Sequence, residues 1–277
     1  MTYASAMMRN PIGGPGAQIP ISTLPNFRDL GGWPTADGAV TRHGVLYRSA
    51  ALDALVGADL ETFSRYRIAQ VFDLRTRGER EAQPDVASPG ATYRILDVLQ
   101  DSINAGPARL LEVITDPGAA EELLGDGQAV QIHKERYREL IHLPSARECY
   151  RQLLTEVASV GATPAVFHCS TGKDRTGWAA ALLLLIAGVS EEDVVDEYLL
   201  TNEQLLPAYR EVFEQFASAG GEPALLEPVI GVRPEYLRAS LAAARNTYGS
   251  FDLYLANGLG VDRETLATLR SVLVDRS

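Results

Sequence analysis

Cys169 and Arg175 stand with five residues between them in the stretch Phe167-His168-Cys169-Ser170-Thr171-Gly172-Lys173-Asp174-Arg175-Thr176-Gly177. The residue types inside this C-x5-R spacing suit one kind of chemistry. Backbone N–H groups from Ser170 to Arg175 can turn inward around a phosphate, and a helix N-terminus behind them adds positive potential. The same field favours the thiolate of Cys169, the form in which a cysteine is a nucleophile. Arg175 offers a planar fork for two equatorial phosphoryl oxygens, whose charge must be stabilised during phosphoryl transfer. A lysine there would lack that fork. Ser170, Thr171, Gly172, Lys173, Asp174 and Arg175 are therefore the candidate phosphate-binding residues, and Cys169 is the candidate nucleophile.

Spacing alone is a weak signal. Taking the two lysines from the 25 basic residues leaves 23 arginines; with two cysteines in 277 positions, about one chance match in six is expected. Context strengthens it, because the cysteine follows a predicted strand, Arg175 opens a predicted helix, and Gly172 allows a tight turn. A Walker-type phosphate loop fits poorly: Gly172-Lys173 resembles its GK pair, but Asp174 replaces the Ser/Thr and Phe167 the first glycine. A cysteine merely buried ahead of a helix would leave Gly172 and the run Lys173-Asp174-Arg175 without a reason.

The elements that must position this loop read as an α/β fold with a central, mainly parallel sheet flanked by helices. Val45–Tyr47, Ala69–Leu74, Thr92–Leu96 and Pro164–His168 are strand-length apolar runs, and Asp73 falls near the C-terminal end of the second. The charged stretch Arg75–Glu81 reads as the loop that follows it. Helical patterns cover Leu52–Tyr66, Glu191–Gln204, Glu235–Tyr248, Phe251–Asn257 and Arg263–Val274. Ser145 with Glu148 has the form of a capping box, opening a helix to about Ser159 that contains Cys149. Residues 101–131 show no stable period and are expected to form a helical lid or insertion.

Length divided by 150 gives about 1.8 domains, but one α/β domain with insertions also fits, so a single domain is expected over residues 24–277. The Gly- and Pro-containing residues 1–23 are expected to be a flexible tail. With 46% hydrophobic and 22% charged residues, a sizeable core is available. A net charge of -11 argues against nucleic acid or an anionic membrane as a general partner, so an anionic ligand must meet a local positive site. Two cysteines are too few for a disulfide scaffold, and the four histidines show no zinc-cluster spacing, so no metal is expected. The longest apolar run, Trp178–Val189, has twelve residues, too few to span a membrane. Neither a transmembrane segment nor a signal peptide is readable. The expected localisation is cytoplasmic, or secreted without a recognisable signal.

HCSTGKDRTG resembles the signature of cysteine-dependent protein tyrosine phosphatases, and NFRDLGG, LYRSA, FDLRT and GVRPEYL narrow the resemblance to the bacterial atypical tyrosine and lipid phosphatases. It extends from about Asn26 to the C-terminus. The resemblance implies a tyrosine-phosphatase-like fold, Cys169 forming a phosphocysteine, Arg175 as phosphate ligand, His168 orienting the loop and Thr176 helping the thiolate leave. It implies no cofactor. It also implies that Lys173 adds affinity for phosphoinositide head groups, a solvated charge being the alternative reading. A carboxylic acid should protonate the leaving group, contributing about 10²–10⁴-fold. Asp174 and Asp73 are the candidates; the resemblance favours Asp174, while Asp73 could instead pair with Arg75 or Arg28. Arg28, Asp29 and Arg48 could brace the site or face solvent. Phosphotyrosine proteins or phosphoinositides are the expected substrates. An arsenate reductase shares the spacing but needs resolving cysteines, of which only Cys149 is available; a phosphate-binding module without turnover is the third reading.

Overall fold

The computed structural model describes residues 14–86, 88, 90–103 and 116–276. Its main sheet is built from β1 (Arg28–Asp29), β3 (Leu46–Ser49), β4 (Gln70–Asp73), β5 (Thr92–Ile95) and β6 (Ala165–His168) in the order β1-β3-β6-β4-β5. Only β1 runs antiparallel to its neighbour. The central strand β6 is the apolar run expected of a strand covered on both faces, and all four of its residues are buried. Edge strand β5 is largely exposed, and its Arg94 pairs with Glu156, a charge that blunts the edge against further pairing. β2 (Val40–Thr41) and β7 (Val274–Asp275) form a separate two-stranded ribbon.

The α-helices of four residues or more are α1 (Gly57–Ser64), α2 (Arg77–Ala82), α3 (Pro117–Leu124), α4 (Gln128–His142), α5 (Pro144–Val160), α6 (Asp174–Ala187), α7 (Glu191–Leu205), α8 (Arg210–Ser218), α9 (Glu227–Ile230), α10 (Pro234–Tyr248) and α11 (Arg263–Leu273). α6 is apolar all round because it is surrounded: all but two of its 14 residues are buried. It packs on the sheet, with α7, α10 and α11 around it. Trp178 of α6 packs near Tyr254, both fully buried, with ring centroids 6.1 Å apart.

Several sequence expectations differ from the structure. Arg75–Glu81 holds all but the last residue of α2, because Thr76 caps it: its hydroxyl accepts from the Glu79 N–H while the Glu79 carboxylate accepts from the Thr76 N–H. Ser145, read as a cap, lies inside α5 instead; Pro144 occupies the first turn and the Ser145 hydroxyl donates to the Val98 carbonyl at 2.9 Å. Of residues 101–131, 104–115 lie outside the described residues, and the remainder contributes α3 and the start of α4. In the stretch expected to be a tail, Ile19 and Ile21 are buried with Phe27 and Tyr47, and Ile19 N–H donates to the Phe27 carbonyl.

Candidate active site

The loop Cys169–Lys173 leaves the C-terminal end of the central strand and enters α6 at once, at the edge where ligands bind in open α/β sheets. Its shape is fixed from behind. Asn26 Nδ2 donates to the carbonyls of Gly172 at 2.8 Å and Thr171 at 3.3 Å, and Arg48 Nη2 donates to Gly172 at 2.7 Å. In a trans peptide the C=O and the following N–H point in opposite directions. Holding these two carbonyls outward therefore turns the N–H groups of Gly172 and Lys173 inward. Gly172 has φ +69, and a Cβ there would lie 2.3 Å from the Ser49 carbonyl oxygen, so only glycine fits against the end of β3.

Arg48 is itself held in a buried unit. Glu197 of α7 accepts from Arg28 Nε at 2.7 Å and from Arg48 Nη1 at 2.6 Å, and all three side chains are almost fully buried. Burial would push the Glu197 carboxyl up, but the two guanidinium groups hold it low. Arg28 is pulled down to about 10 by burial and by the like charge of Arg48, with Glu197 opposing. Two guanidinium groups and one carboxylate leave one net positive charge behind the loop. Asp29 does different work, accepting from Gly31 N–H at 2.8 Å and Gly44 N–H at 2.9 Å to close the turn before β3.

Cys169 is 1% exposed on the floor of the loop. Arg175 is aimed by Glu79, which the sequence pattern placed in a loop and gave no role. Glu79 accepts from Arg175 Nη1 and Nη2, both at 2.7 Å, and from Ser170 Oγ at 2.5 Å. Nη1 also donates to the Leu74 carbonyl at 3.2 Å. Among the described residues this leaves the Nε–H and the outer Nη2–H, a parallel pair, for an oxyanion. Burial opposes the charge of Glu79, but the hydrogen bonds and charge of Arg175, with Ser170 and the Thr76 N–H, hold its pKa far below the usual carboxylate range. Burial likewise disfavours the Arg175 cation, and its interactions with Cys169 and Glu79 more than restore it. The only signal for Glu79 in the sequence is the capping box with Thr76.

The two candidate acids have different surroundings. Asp73, at the end of β4, accepts twice from the Arg75 guanidinium (2.9 and 2.8 Å) and once from its N–H. The same guanidinium reaches Asp85 at 2.9 Å, and His168 Nε2 lies 3.1 Å from that carboxylate, which stays low because His168 and Arg75 outweigh its burial. Asp73, Asp85 and His168 could together ligate a metal by their spacing, but Arg75 already sits among them as the counter-ion. Asp174 is about one-third exposed at the mouth of the loop, with Lys173 Nζ 3.6 Å from one oxygen and the Tyr137 hydroxyl donating to the other at 2.9 Å. Burial would raise its pKa, but Lys173, His133 and Tyr137 hold it low.

Lys173 is buried and not solvated: Nζ donates to the carbonyls of Val229 at 2.5 Å and Gly231 at 3.2 Å, joining the loop to the end of α9. The segment 206–231 thus reaches the Cys169–Lys173 loop, and its Phe216, Leu226 and Ile230 pack with Ala120 of α3. Thr176 Oγ1 is buried with no hydrogen-bond partner among the described residues. His168 Nδ1 lies 3.3 Å from the Cys169 carbonyl. Cys149 is half-buried in α5, where burial pushes its thiol up to about 12.

A mainly parallel sheet that delivers a cysteine, a backbone anion nest and a guanidinium fork onto one helix N-terminus defines a cysteine-dependent phosphatase of the tyrosine phosphatase type. The family model for the tyrosine phosphatase family matches residues 19–275, and the chain belongs to that family. It is 32% identical over 256 residues to a Cupriavidus necator protein named as a tyrosine-protein phosphatase, covering 88% of this chain and 85% of the relative. It is 30% identical over 270 residues to the triple specificity protein phosphatase PtpB of Mycobacterium tuberculosis, covering 90% of this chain and 96% of the relative. A tyrosine-protein phosphatase of Nostoc commune is 25% identical over 242 residues, or 80% and 72% of the two chains. Among the described residues, no helix is long and apolar enough to cross a membrane.

Proposed function

We propose that the chain hydrolyses phosphotyrosine through a phosphocysteine on Cys169, with phosphoserine, phosphothreonine and phosphoinositides as further substrates. The observation that carries this reading is the orientation of the loop: Asn26 and Arg48 hold two carbonyls outward, and Glu79 aims the free edge of Arg175. The Cys169 thiolate attacks phosphorus as the bond to the phenolic oxygen breaks, while Arg175 and the loop N–H groups stabilise the equatorial oxygens. Asp174 gives its proton to the departing phenolate, becoming the carboxylate. Water then attacks the phosphocysteine, Asp174 takes its proton back, and inorganic phosphate leaves as the Cys169 thiolate reforms. The unpartnered Thr176 hydroxyl is available to donate to that thiolate. Asp73 is bound to Arg75 on both oxygens, which favours Asp174 as the acid. Lys173 is the residue proposed to meet a second phosphate, in exchange for the Val229 and Gly231 carbonyls; the triple specificity in the mycobacterial relative's name is consistent with this wider range.

Phosphate release from a phosphotyrosine peptide and from vesicles containing a phosphatidylinositol monophosphate, measured side by side in chelator, tests the reading. Wild type should act on both and Cys169→Ser on neither. Release from the peptide alone would remove the lipid arm, and release that survives in Cys169→Ser would remove the phosphocysteine.

A further inference from the structure

Asp174 is met from the side opposite Lys173 by two phenols in series. The Tyr137 hydroxyl of α4 donates to Asp174 Oδ1 at 2.9 Å, and the Tyr198 hydroxyl of α7 lies 2.5 Å from that of Tyr137. Both tyrosines are 1% exposed. Their positions are built, not incidental. Ser240 of α10 donates to the Tyr137 carbonyl at 2.6 Å, and the Tyr198 ring lies so close to α6 that a Cβ on Gly177 would come within 2.9 Å of it.

A phenol carries one proton. Because Tyr137 directs its own at Asp174, the short contact between the two hydroxyls requires the proton of Tyr198, so both O–H bonds point toward the carboxylate. Burial and the nearby Asp174 charge keep both phenols protonated, the state in which they can donate. Oδ1 of the carboxylate is thereby occupied as an acceptor.

We propose that Tyr137, backed by Tyr198, is a positioning residue that fixes the Asp174 carboxyl group through Oδ1 and reserves Oδ2 as the oxygen that carries and delivers the proton. This rests on the reading of Asp174 as the general acid. The other charged or titratable groups facing Asp174 are Lys173 and Arg175 beside it, His133 on α4 and Tyr236 on α10. His133 titrates near 4 because burial and the Lys173 charge depress it, so it does not supply a change at higher pH.

The test is the pH profile of kcat/KM and the dependence of kcat on leaving-group pKa for wild type, Tyr137→Phe, Tyr198→Phe and Asp174→Asn, using aryl phosphates. Tyr137→Phe removes a hydrogen bond that favours the charged carboxylate, so Asp174 holds its proton to higher pH. The alkaline limb should move up by about one pH unit. Loss of orientation should slow turnover about tenfold for poor leaving groups and leave good ones unchanged, a fraction of a general acid's whole contribution. Tyr198→Phe should move the limb the same way by less, and it carries the test if Tyr137→Phe does not fold. An unmoved limb and an unchanged leaving-group slope in both tyrosine variants, with Asp174→Asn selectively slow on poor leaving groups, would overturn the positioning role and leave Asp174 as the acid. If Asp174→Asn lost activity equally on all substrates, the acid assignment would fall and the positioning role with it.

Discussion

Replacing Gly172 by alanine isolates the contribution of loop shape, because no charged or hydrogen-bonding side chain is lost. Two costs are readable. The residue sits at φ +69, where a side chain adds about 1–2 kcal/mol of backbone strain. Its Cβ would lie 2.3 Å from Ser49 O, 2.5 Å from Ser49 C and 2.7 Å from Ala50 N, so some backbone must retreat by about 1 Å to reach ordinary contact, at a further 1–3 kcal/mol or so. Ser49 is paired with His168 in the sheet, which makes the loop the part that yields. A displacement of about 1 Å in a catalytic constellation costs on the order of 10²-fold in rate. We expect kcat/KM on a phosphotyrosine analogue to fall by about that factor, with a stability loss of about 3 kcal/mol. Gly38→Ala is the control, since Gly38 also has a positive φ, +83, but faces open space. It should lose only about 1 kcal/mol and no activity. Denaturant unfolding and steady-state kinetics on both variants decide the matter; equal, small effects at the two glycines would refute the close-approach reasoning.

Glu79→Gln keeps the size of the side chain but removes the charge opposite Arg175, and it sets an amide against a guanidinium in a largely buried pair. Because breaking such a pair costs about 3–5 kcal/mol when fully buried, a stability loss of about 2–3 kcal/mol is expected, and turnover should slow at least about tenfold; an unchanged turnover rate would mean Arg175 needs no aiming. His133 is held neutral by burial, with its pKa lowered from 6.5 to about 4. Its stabilisation is therefore complete above 6.5 and is lost as pH falls through that value toward 4. This loss amounts to about 3 kcal/mol. His133→Gln should flatten the stability curve between those pH values, and a wild-type-like slope in the variant would show that other groups cause the acid loss.

Strand, loop and helix around Cys169 were legible because they are local: β6 is an apolar run, Gly172 breaks it, and α6 follows without interruption. The supports were not, because each is a partnership between distant positions. Arg48 reaches Gly172 across 124 residues and Glu197 across 149. One local pattern even gave opposite outcomes: Thr76 with Glu79 is a capping box, while Ser145 with Glu148 is not, since Pro144 already starts the helix. Segment 206–231 was missed for a related reason. Pro207, Pro223 and Pro228 and the Gly220-Gly221 pair cut it into short helices that no single period describes.

The buried unit of Arg28, Arg48 and Glu197 has a consequence for how an anion approaches. The charge proposed to draw a phosphate inward lies inside the protein, while the chain as a whole carries -11. Dissolved ions crowd the outside and do not enter the core. Raising ionic strength from about 0.01 M to 0.15 M shortens the reach of any charge through solvent from about 30 Å to 8 Å, which cuts the distant repulsion from the net negative charge most and the attraction within a few ångströms of the buried cation least. Added salt thus lowers the repulsion before it weakens the attraction. For a basic protein surface, salt slows the capture of anions; here moderate salt should speed it, a reversal set by where the charges sit and not by how many there are.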